Sequence, residues 1–74
     1  MKLTVGLLTE KGFQPEIVHN QLFLKKGHIA ITFNYQWIPC RIINGIPLCT
    51  NCYVETWEEF EKLISESENA EKLA

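Results

Sequence analysis

Residues 28–35 (HIAITFNY) alternate polar or small side chains with bulky apolar ones. A period of two is what a strand with one buried face requires. The rest of residues 14–50 can be divided into similar segments, separated by dipeptides that favour chain reversal. These dipeptides are His19-Asn20, Lys26-Gly27, Gln36-Trp37 and Asn44-Gly45, of which Asn-Gly is the strongest hairpin signal. We therefore expect an antiparallel meander of four or five strands.

Two-residue loops at all four reversals would determine which residues lie opposite one another, and opposed residues share a face of the sheet. In this register the large apolar side chains point to one side. The expected pairs are Ile17 with Leu22, Leu22 with Ile31, Leu24 with Ile29, Ile31 with Ile42, Phe33 with Cys40, Ile42 with Pro47, and Cys40 with Cys49. Proline lacks an N–H, so Pro47 predicts an edge strand, and Pro39 predicts that regular pairing ends or bulges beside Cys40.

The segment before the strands predicts a short helix. Thr4 can cap its start, and Gly12 followed by apolar Phe13 is a helix-end signal. The alternative is a strand, because Leu3, Val5 and Leu7 also alternate.

The last segment predicts a second helix, which begins with a capping box at residues 56–59 (TWEE). Its apolar residues recur at helical spacing and are Trp57, Phe60, Leu63 and Ile64. We expect Trp57, Phe60 and Ile64 to pack on the sheet face that carries Leu22, Ile31, Phe33 and Ile42, and residues 66–74 to fray. The predicted fold class is α+β, a two-layer αββββ(β)α domain with a helix at each end of an antiparallel four- to five-stranded meander, spanning residues 1–74.

A chain of 74 residues that is 46% apolar and 22% charged is globular in composition but small. At this size only about 60% of the unfolded chain's surface is buried on folding, so a dimer interface, a metal or a disulfide would supplement the core. No apolar run approaches the roughly 18 residues of a membrane span, and no signal peptide is evident. These features predict a cytoplasmic protein with reduced cysteines and no membrane partner.

Charge is unevenly distributed along the chain. Residues 1–54 carry five Lys or Arg against two Glu, a sum of +3, and the remainder carries seven Glu against two Lys, a sum of −5. Nucleic-acid binding usually needs a concentrated basic face, and the largest basic cluster is Lys25-Lys26. We therefore expect no nucleic-acid partner and interpret the acidic segment as a solvated helix face.

The three cysteines leave several interpretations open. Cys49 and Cys52 have the C-x-x-C spacing of zinc and redox sites, and Cys40 is expected opposite Cys49. Three thiolates lack a fourth zinc ligand nearby, whereas Cys40 and Cys49 could form a cross-strand disulfide. The pattern favours packed, reduced cysteines. The chain has no aspartate and its only serines are Ser65 and Ser67, so we expect no enzymatic activity and no cofactor.

The predicted register also places a mostly apolar row on the other face of the sheet. Its members are Glu16, Phe23, Ala30, Ile43 and Ile46, with Val18 close by. Such a row is covered either by the N-terminal helix or by another chain, because exposed apolar patches mark interaction sites. Phe23, Ala30, Ile43 and Ile46 are therefore the predicted interface residues.

Residues 7–16 (LLTEKGFQPE) followed by residues 22–27 (LFLKKG) resemble the opening of short YbjN-like domains, whose fold is similar to that of type III secretion chaperones. This resemblance implies a non-enzymatic, dimer-forming domain that binds other proteins, and no site residue is carried over from it. The function we expect is thus a small protein-interaction domain that self-associates as a homodimer or binds another protein. The alternative is a small zinc-binding or nucleic-acid accessory domain that uses Cys40, Cys49 and Cys52.

Overall fold

A computed structural model describes the backbone of residues 1–73 and the side chains of residues 1–66. The helices and strands, in chain order, are α1 (Val5–Glu10), β1 (Gln14–Val18), β2 (Gln21–Lys26), β3 (Ile29–Asn34), β4 (Gln36–Ile43), β5 (Ile46–Cys49) and α2 (Trp57–Leu73). The five strands form one antiparallel sheet in the order β1-β2-β3-β4-β5. The α+β class and the antiparallel meander are confirmed.

Helix α1 has the two end signals that the sequence predicts. The Thr4 hydroxyl accepts the Leu7 N–H at 3.0 Å. At the other end Gly12 adopts φ 97°, and its N–H and that of Phe13 bond back to the carbonyls of Thr9 and Leu8. This pair of bonds is a Schellman motif, which a glycine in the left-handed region makes possible. The helical prediction is confirmed and the strand alternative is wrong.

Two of the four predicted reversals are correct. His19 and Asn20 have φ of 51° and 64°, and Asn44 and Gly45 have φ of 54° and 79°. Positive φ at both central residues is typical of type I′ turns, which suit the twist of antiparallel strands. The predicted pairs that depend on these turns alone are confirmed, and they are Ile17 with Leu22, Ile42 with Pro47, and Cys40 with Cys49.

The second reversal occurs one residue later than predicted. The loop is Gly27-His28, with Gly27 at φ 62°, and Leu24 therefore pairs with Ile31 rather than Ile29. The shift of two positions along β3 leaves every side chain on its predicted face, because side chains alternate with a period of two. The predicted pair of Leu22 with Ile31 is likewise wrong.

The third reversal exchanges the two faces of the sheet for the side chains of the strands that follow it. The chain turns at Tyr35, with φ 63°, and Asn34 pairs with Gln36. Ile31 therefore pairs with Pro39 rather than Ile42, a shift of three positions. An odd shift exchanges the two faces of a strand. The predicted pairs of Ile31 with Ile42 and of Phe33 with Cys40 are wrong.

The main hydrophobic core lies between the helices and one face of the sheet, which we call the helix side. Its buried members are Leu3, Leu8, Phe13, Leu24, Ile31, Val54 and Phe60. The Phe13 ring lies 5.6 Å from that of Phe60 and 6.3 Å from that of Trp57. The predicted packing of α2 on Ile31 is thus correct, whereas Leu22 and Phe33 are exposed and Ile42 lies on the other face.

A second, smaller core lies on the opposite face of the sheet. Phe23, Ala30 and Cys40 are buried there, with Val18, Ile38 and Ile42 packed against them. One surface cavity is lined both by the β1–β2 hairpin and by β5, which shows that the sheet curls around this core. Thr32 is buried beside it, and its hydroxyl donates to the Leu22 carbonyl at 2.7 Å.

Regular pairing between β4 and β5 ends beside Pro39, at Cys40 opposite Cys49, as predicted, whereas pairing between β3 and β4 continues through Pro39, which lies opposite Ile31. The Pro39 carbonyl accepts the Thr50 N–H at 3.0 Å on the β5 side. The N and C=O of a strand residue point to the same side, so the missing N–H of Pro39 faces the side on which β5 ends at Cys49. No β3–β4 hydrogen bond is lost.

The first residues of the chain are tied to the start of α2. Leu3 donates to the Glu55 carbonyl at 3.0 Å, and the Met1 carbonyl accepts the Trp57 N–H at 2.8 Å. The Met1 ammonium also contacts the Glu58 carboxylate, and this hydrogen bond lowers the pKa of Glu58.

The predicted cap at the start of α2 is present in a modified form. The Thr56 hydroxyl accepts the Glu59 N–H at 3.3 Å and donates to the Glu59 carboxylate at 3.1 Å. The Glu59 carboxylate thus accepts a hydrogen bond from the Thr56 hydroxyl that caps the start of α2. The backbone of α2 is helical to Leu73. The prediction that residues 66–74 fray otherwise concerns side chains beyond residue 66, which lie outside the described residues.

Candidate functional site

The four predicted interface residues do not form one row. Phe23 and Ala30 belong to the second core and are 7% and 0% exposed. Ile43 and Ile46 lie opposite each other beside the β4–β5 turn and are 44% and 59% exposed, and alternation along β4 places Ile43 on the helix side. Ile46 and Phe23 line one cavity between the β1–β2 hairpin and β5. The shared row is therefore a wrong prediction, and its cause is the odd register shift at Tyr35. A role for Ile43 and Ile46 in binding stays a prediction.

A different apolar surface is present on the helix side, and we call it the helix-side row. Its members are Val5, Ile17, Leu22 and Phe33, which are 51%, 66%, 45% and 58% exposed. Ile17 lies opposite Leu22, and the β2–β3 register continued by one step places Leu22 beside Phe33. Val5, Leu22 and Phe33 together line a cleft of about 320 Å³ beside α1.

The sequence pattern places Leu22 and Phe33 in the core and therefore does not predict the helix-side row. Helix α2 instead covers the part of the face around Phe60, which is fully buried. Phe33 contacts Trp37 at 5.1 Å between ring centroids, at the margin of the core. The α1 helix has only six residues and contributes Val5 to the exposed surface rather than covering it.

A larger apolar groove separates α2 from β3 and β4. It encloses about 460 Å³, and its apolar wall comprises Ile29, Pro39, Phe60, Leu63 and Ile64. Cys40 and Cys52 also line this groove.

Cys40 and Cys49 form a disulfide between β4 and β5, with Cα atoms 3.9 Å apart. They occupy a non-hydrogen-bonded pair, since the flanking bond runs from the Thr50 N–H to the Pro39 carbonyl. Their predicted adjacency is confirmed, and the interpretation of them as reduced, merely packed thiols is corrected. Cys52 is an exposed free cysteine.

Zinc binding by the three thiolates would require reduction of this disulfide. Within the described part of the chain, no group of three or more His, Cys, Asp or Glu side chains is arranged to hold a metal ion. Both histidines occupy turns, His19 before β2 and His28 before β3. The zinc or nucleic-acid accessory alternative therefore remains a prediction for the reduced chain only.

Comparison with known proteins identifies no relative. No family model matches the sequence, and neither a curated protein nor a solved structure is significantly similar to it. The resemblance to YbjN-like domains is therefore untested. None of the described helices has the length and apolar character needed to span a membrane. Fold and site define a small α+β domain with a curled antiparallel sheet, an exposed apolar row, one disulfide and one exposed free cysteine.

Proposed function

We propose that this chain is a small, non-enzymatic protein-interaction domain that self-associates, and that the helix-side row is its dimer interface. The observation that carries the proposal is the exposure of four apolar side chains in one continuous row, each between 45% and 66% exposed. Contiguous apolar surface of this kind marks interaction sites, whereas single exposed apolar residues are ordinary.

The two edge strands favour self-association through a face of the sheet over association through its edges. β1 and β5 are the edge strands, and each carries one proline, Pro15 and Pro47. Counting from the two-residue turns, both prolines lie at non-hydrogen-bonded positions, so their nitrogens point outward. A proline at that position removes a donor from the free edge and disfavours pairing with another strand.

The size of the domain supports a second copy as the partner. The chain exposes 5354 Å², and a standard interface of about 800 Å² per partner would cover roughly 15% of that surface. A core this small benefits from an oligomer interface. The proposed homodimer is also what the resemblance to YbjN-like domains implies. The cytoplasmic location we expect goes with this proposal, although a persistent disulfide is more typical of oxidising compartments.

Light scattering coupled to size-exclusion chromatography tests the proposal on wild type, Phe33→Glu and Tyr53→Glu. Phe33 and Tyr53 are equally exposed, at 58%, but Tyr53 lies outside the helix-side row, so it is the matched control. We expect a dimer for wild type and Tyr53→Glu and a monomer for Phe33→Glu, with circular dichroism showing that all three are folded. A monomeric wild type at about 100 μM, far above the Kd of a stable dimer, would refute the proposal.

Ile46→Glu tests whether the interface lies at Ile43 and Ile46 instead. Ile46 is 59% exposed, lies beside the β4–β5 turn and is not a member of the helix-side row. We expect this variant to remain a dimer. Dissociation of Ile46→Glu together with a dimeric Phe33→Glu would place the interface at Ile43 and Ile46 and overturn the assignment to the helix-side row.

A further inference from the structure

We propose that Tyr35 is the central contact of the dimer and that its ring enters the cleft beside α1 of the second copy. The inference rests on the self-association proposed above and names the residue at its centre. Three observations carry it, namely the conformation and exposure of Tyr35, the apolar character of the cleft, and the position of Tyr35 at the edge of that cleft.

Tyr35 makes almost no contact with its own chain. It is 93% exposed, whereas the next most exposed large apolar side chain of the described residues, Ile17, is 66% exposed. It also holds φ 63°, and glycine, asparagine or histidine holds positive φ at the other three reversals between strands. Core packing decides where the chain turns, but a glycine or asparagine would occupy this conformation at less cost than tyrosine. The aromatic ring at this position therefore indicates a contact outside the chain.

The cleft beside α1 is large enough for an aromatic ring. Its volume is about 320 Å³, and a cavity of about 150 Å³ already holds benzene. Leu24 and Ile31, which are 2% and 0% exposed, line its buried part. Val5, Leu22 and Phe33 line its exposed part, so that an inserted ring would meet apolar side chains on both.

Polar contacts do not select the occupant of this cleft. Among the residues that line it, only Thr32 and Trp37 carry polar side-chain atoms. The Trp37 indole N–H donates to the Leu3 carbonyl at 3.2 Å, and the Thr32 hydroxyl donates to the Leu22 carbonyl. An apolar group is therefore the occupant that the cleft favours. A tyrosine ring meets this requirement, because the open side of a cleft leaves its hydroxyl in water.

The position of Tyr35 suits a two-fold dimer. It forms the turn between Phe33 and Trp37, which lie opposite each other and both line the cleft. In a two-fold interface the same patch serves both copies, so a protruding side chain and the cleft that receives it must lie side by side on each copy. At 93% exposure Tyr35 does not fill its own cleft. Two-fold symmetry then places each Tyr35 in the cleft of the other copy.

The area of the two rings is substantial for an interface of this size. One buried aromatic side chain covers roughly 150–250 Å², so two cover roughly 300–500 Å². A standard interface buries roughly 1,600 Å² in total. Tyrosine is also enriched among the few residues that dominate binding energy. The helix-side row supplies the surrounding apolar surface, and we expect Tyr35 to be the hot spot within it.

Sedimentation equilibrium measures the dimer Kd of wild type, Tyr35→Asn, Tyr35→Phe and Tyr53→Asn. We expect Tyr35→Asn to raise the Kd at least about thirtyfold, the loss that defines a hot spot. Tyr35→Phe keeps the ring and should leave the Kd within about threefold, as expected for a group that stays in water. Tyr53 is 58% exposed and does not line the cleft, so Tyr53→Asn is the matched control and should keep the wild-type Kd.

Urea unfolding at a concentration where the proteins are monomeric separates binding from folding. Asparagine tolerates positive φ, so the midpoint of Tyr35→Asn should be no lower than that of wild type. A lower midpoint would show that the tyrosine serves the fold itself and would count against the inference. A dimer of unchanged Kd in Tyr35→Asn would overturn the inference and leave the helix-side row as the interface. A monomeric wild type would overturn both.

Mixing two variants tests the exchange of rings between copies. Val5→Trp fills the cleft and keeps Tyr35, whereas Tyr35→Asn removes the ring and keeps the cleft. Their heterodimer retains one ring in one open cleft, and neither homodimer retains any. We expect native mass spectrometry of an equal mixture to show heterodimer above the random share of about half of all dimers. A random share, with both homodimers intact, would refute the exchange.

Discussion

Reduction of the Cys40–Cys49 disulfide should cost this domain a large part of its stability. The bond joins residues nine positions apart, so the loop that it closes contains residues 40–49. In the chain-entropy treatment a loop of about ten residues restricts the unfolded chain by about 9 cal/mol/K, which is about 2.7 kcal/mol at 25 °C. A domain of 74 residues has a free energy of unfolding of about 4 to 11 kcal/mol in total. The disulfide therefore supplies from about a quarter to more than half of it.

Urea unfolding followed by circular dichroism measures this contribution, with and without a phosphine reductant. The experiment uses Cys52→Ser, so that the disulfide cannot rearrange. With an m value of about 1 kcal/mol/M, the midpoint should fall by about 2 to 3 M on reduction. The control carries Cys40→Ala and Cys49→Ala as well, and its midpoint should not respond to reductant. A midpoint that moves by less than about 0.5 M in the cystine-containing variant would show that the closed loop does not stabilise the fold in this way.

Three substitutions test the register and the helix end, each by urea unfolding against wild type. Thr32→Val removes a buried hydroxyl that donates to Leu22 and accepts from Gln21 at 2.9 Å, and it should cost about 1 to 3 kcal/mol; a neutral result would contradict the bonding. Ala30→Leu adds volume to a site that is 0% exposed and should cost about 1 to 3 kcal/mol, whereas a surface position would tolerate it. Gly12→Ala forces an L side chain to φ 97° and should cost about 1 kcal/mol or more; unchanged stability would argue against the Schellman end of α1.

The parts of the fold that sequence reasoning predicted are those with local chemical signals. Asn44-Gly45 and His19-Asn20 tolerate positive φ, and both turns formed where expected. Thr4 and Gly12 likewise mark the two ends of α1 through hydrogen bonds that involve only neighbouring residues. Each of these features depends on a few consecutive residues, and such features can be found from one sequence.

The third reversal has no such signal. Tyr35 is a bulky residue at φ 63°, which is uncommon for residues other than glycine, asparagine and aspartate. No property of the local sequence distinguishes Tyr35 from Gln36 as the turning point, and tertiary packing decides between them. The main core is filled when Ile31 lies opposite Pro39, which places Cys40 opposite Ala30 in the second core.

The two candidate sites differ in how far they depend on this reversal. The pairing of Cys40 with Cys49 is set by the Asn44-Gly45 turn alone, so the error at Tyr35 left it intact. A surface that spans several strands depends on every intervening turn, and one odd shift moves half of its members to the other face. The predicted row was therefore divided between two faces, while the cysteine pair was found. Adjacency within one hairpin is thus predictable from this sequence, whereas the oxidation state of the cysteine pair and an interface across the whole sheet need the structure.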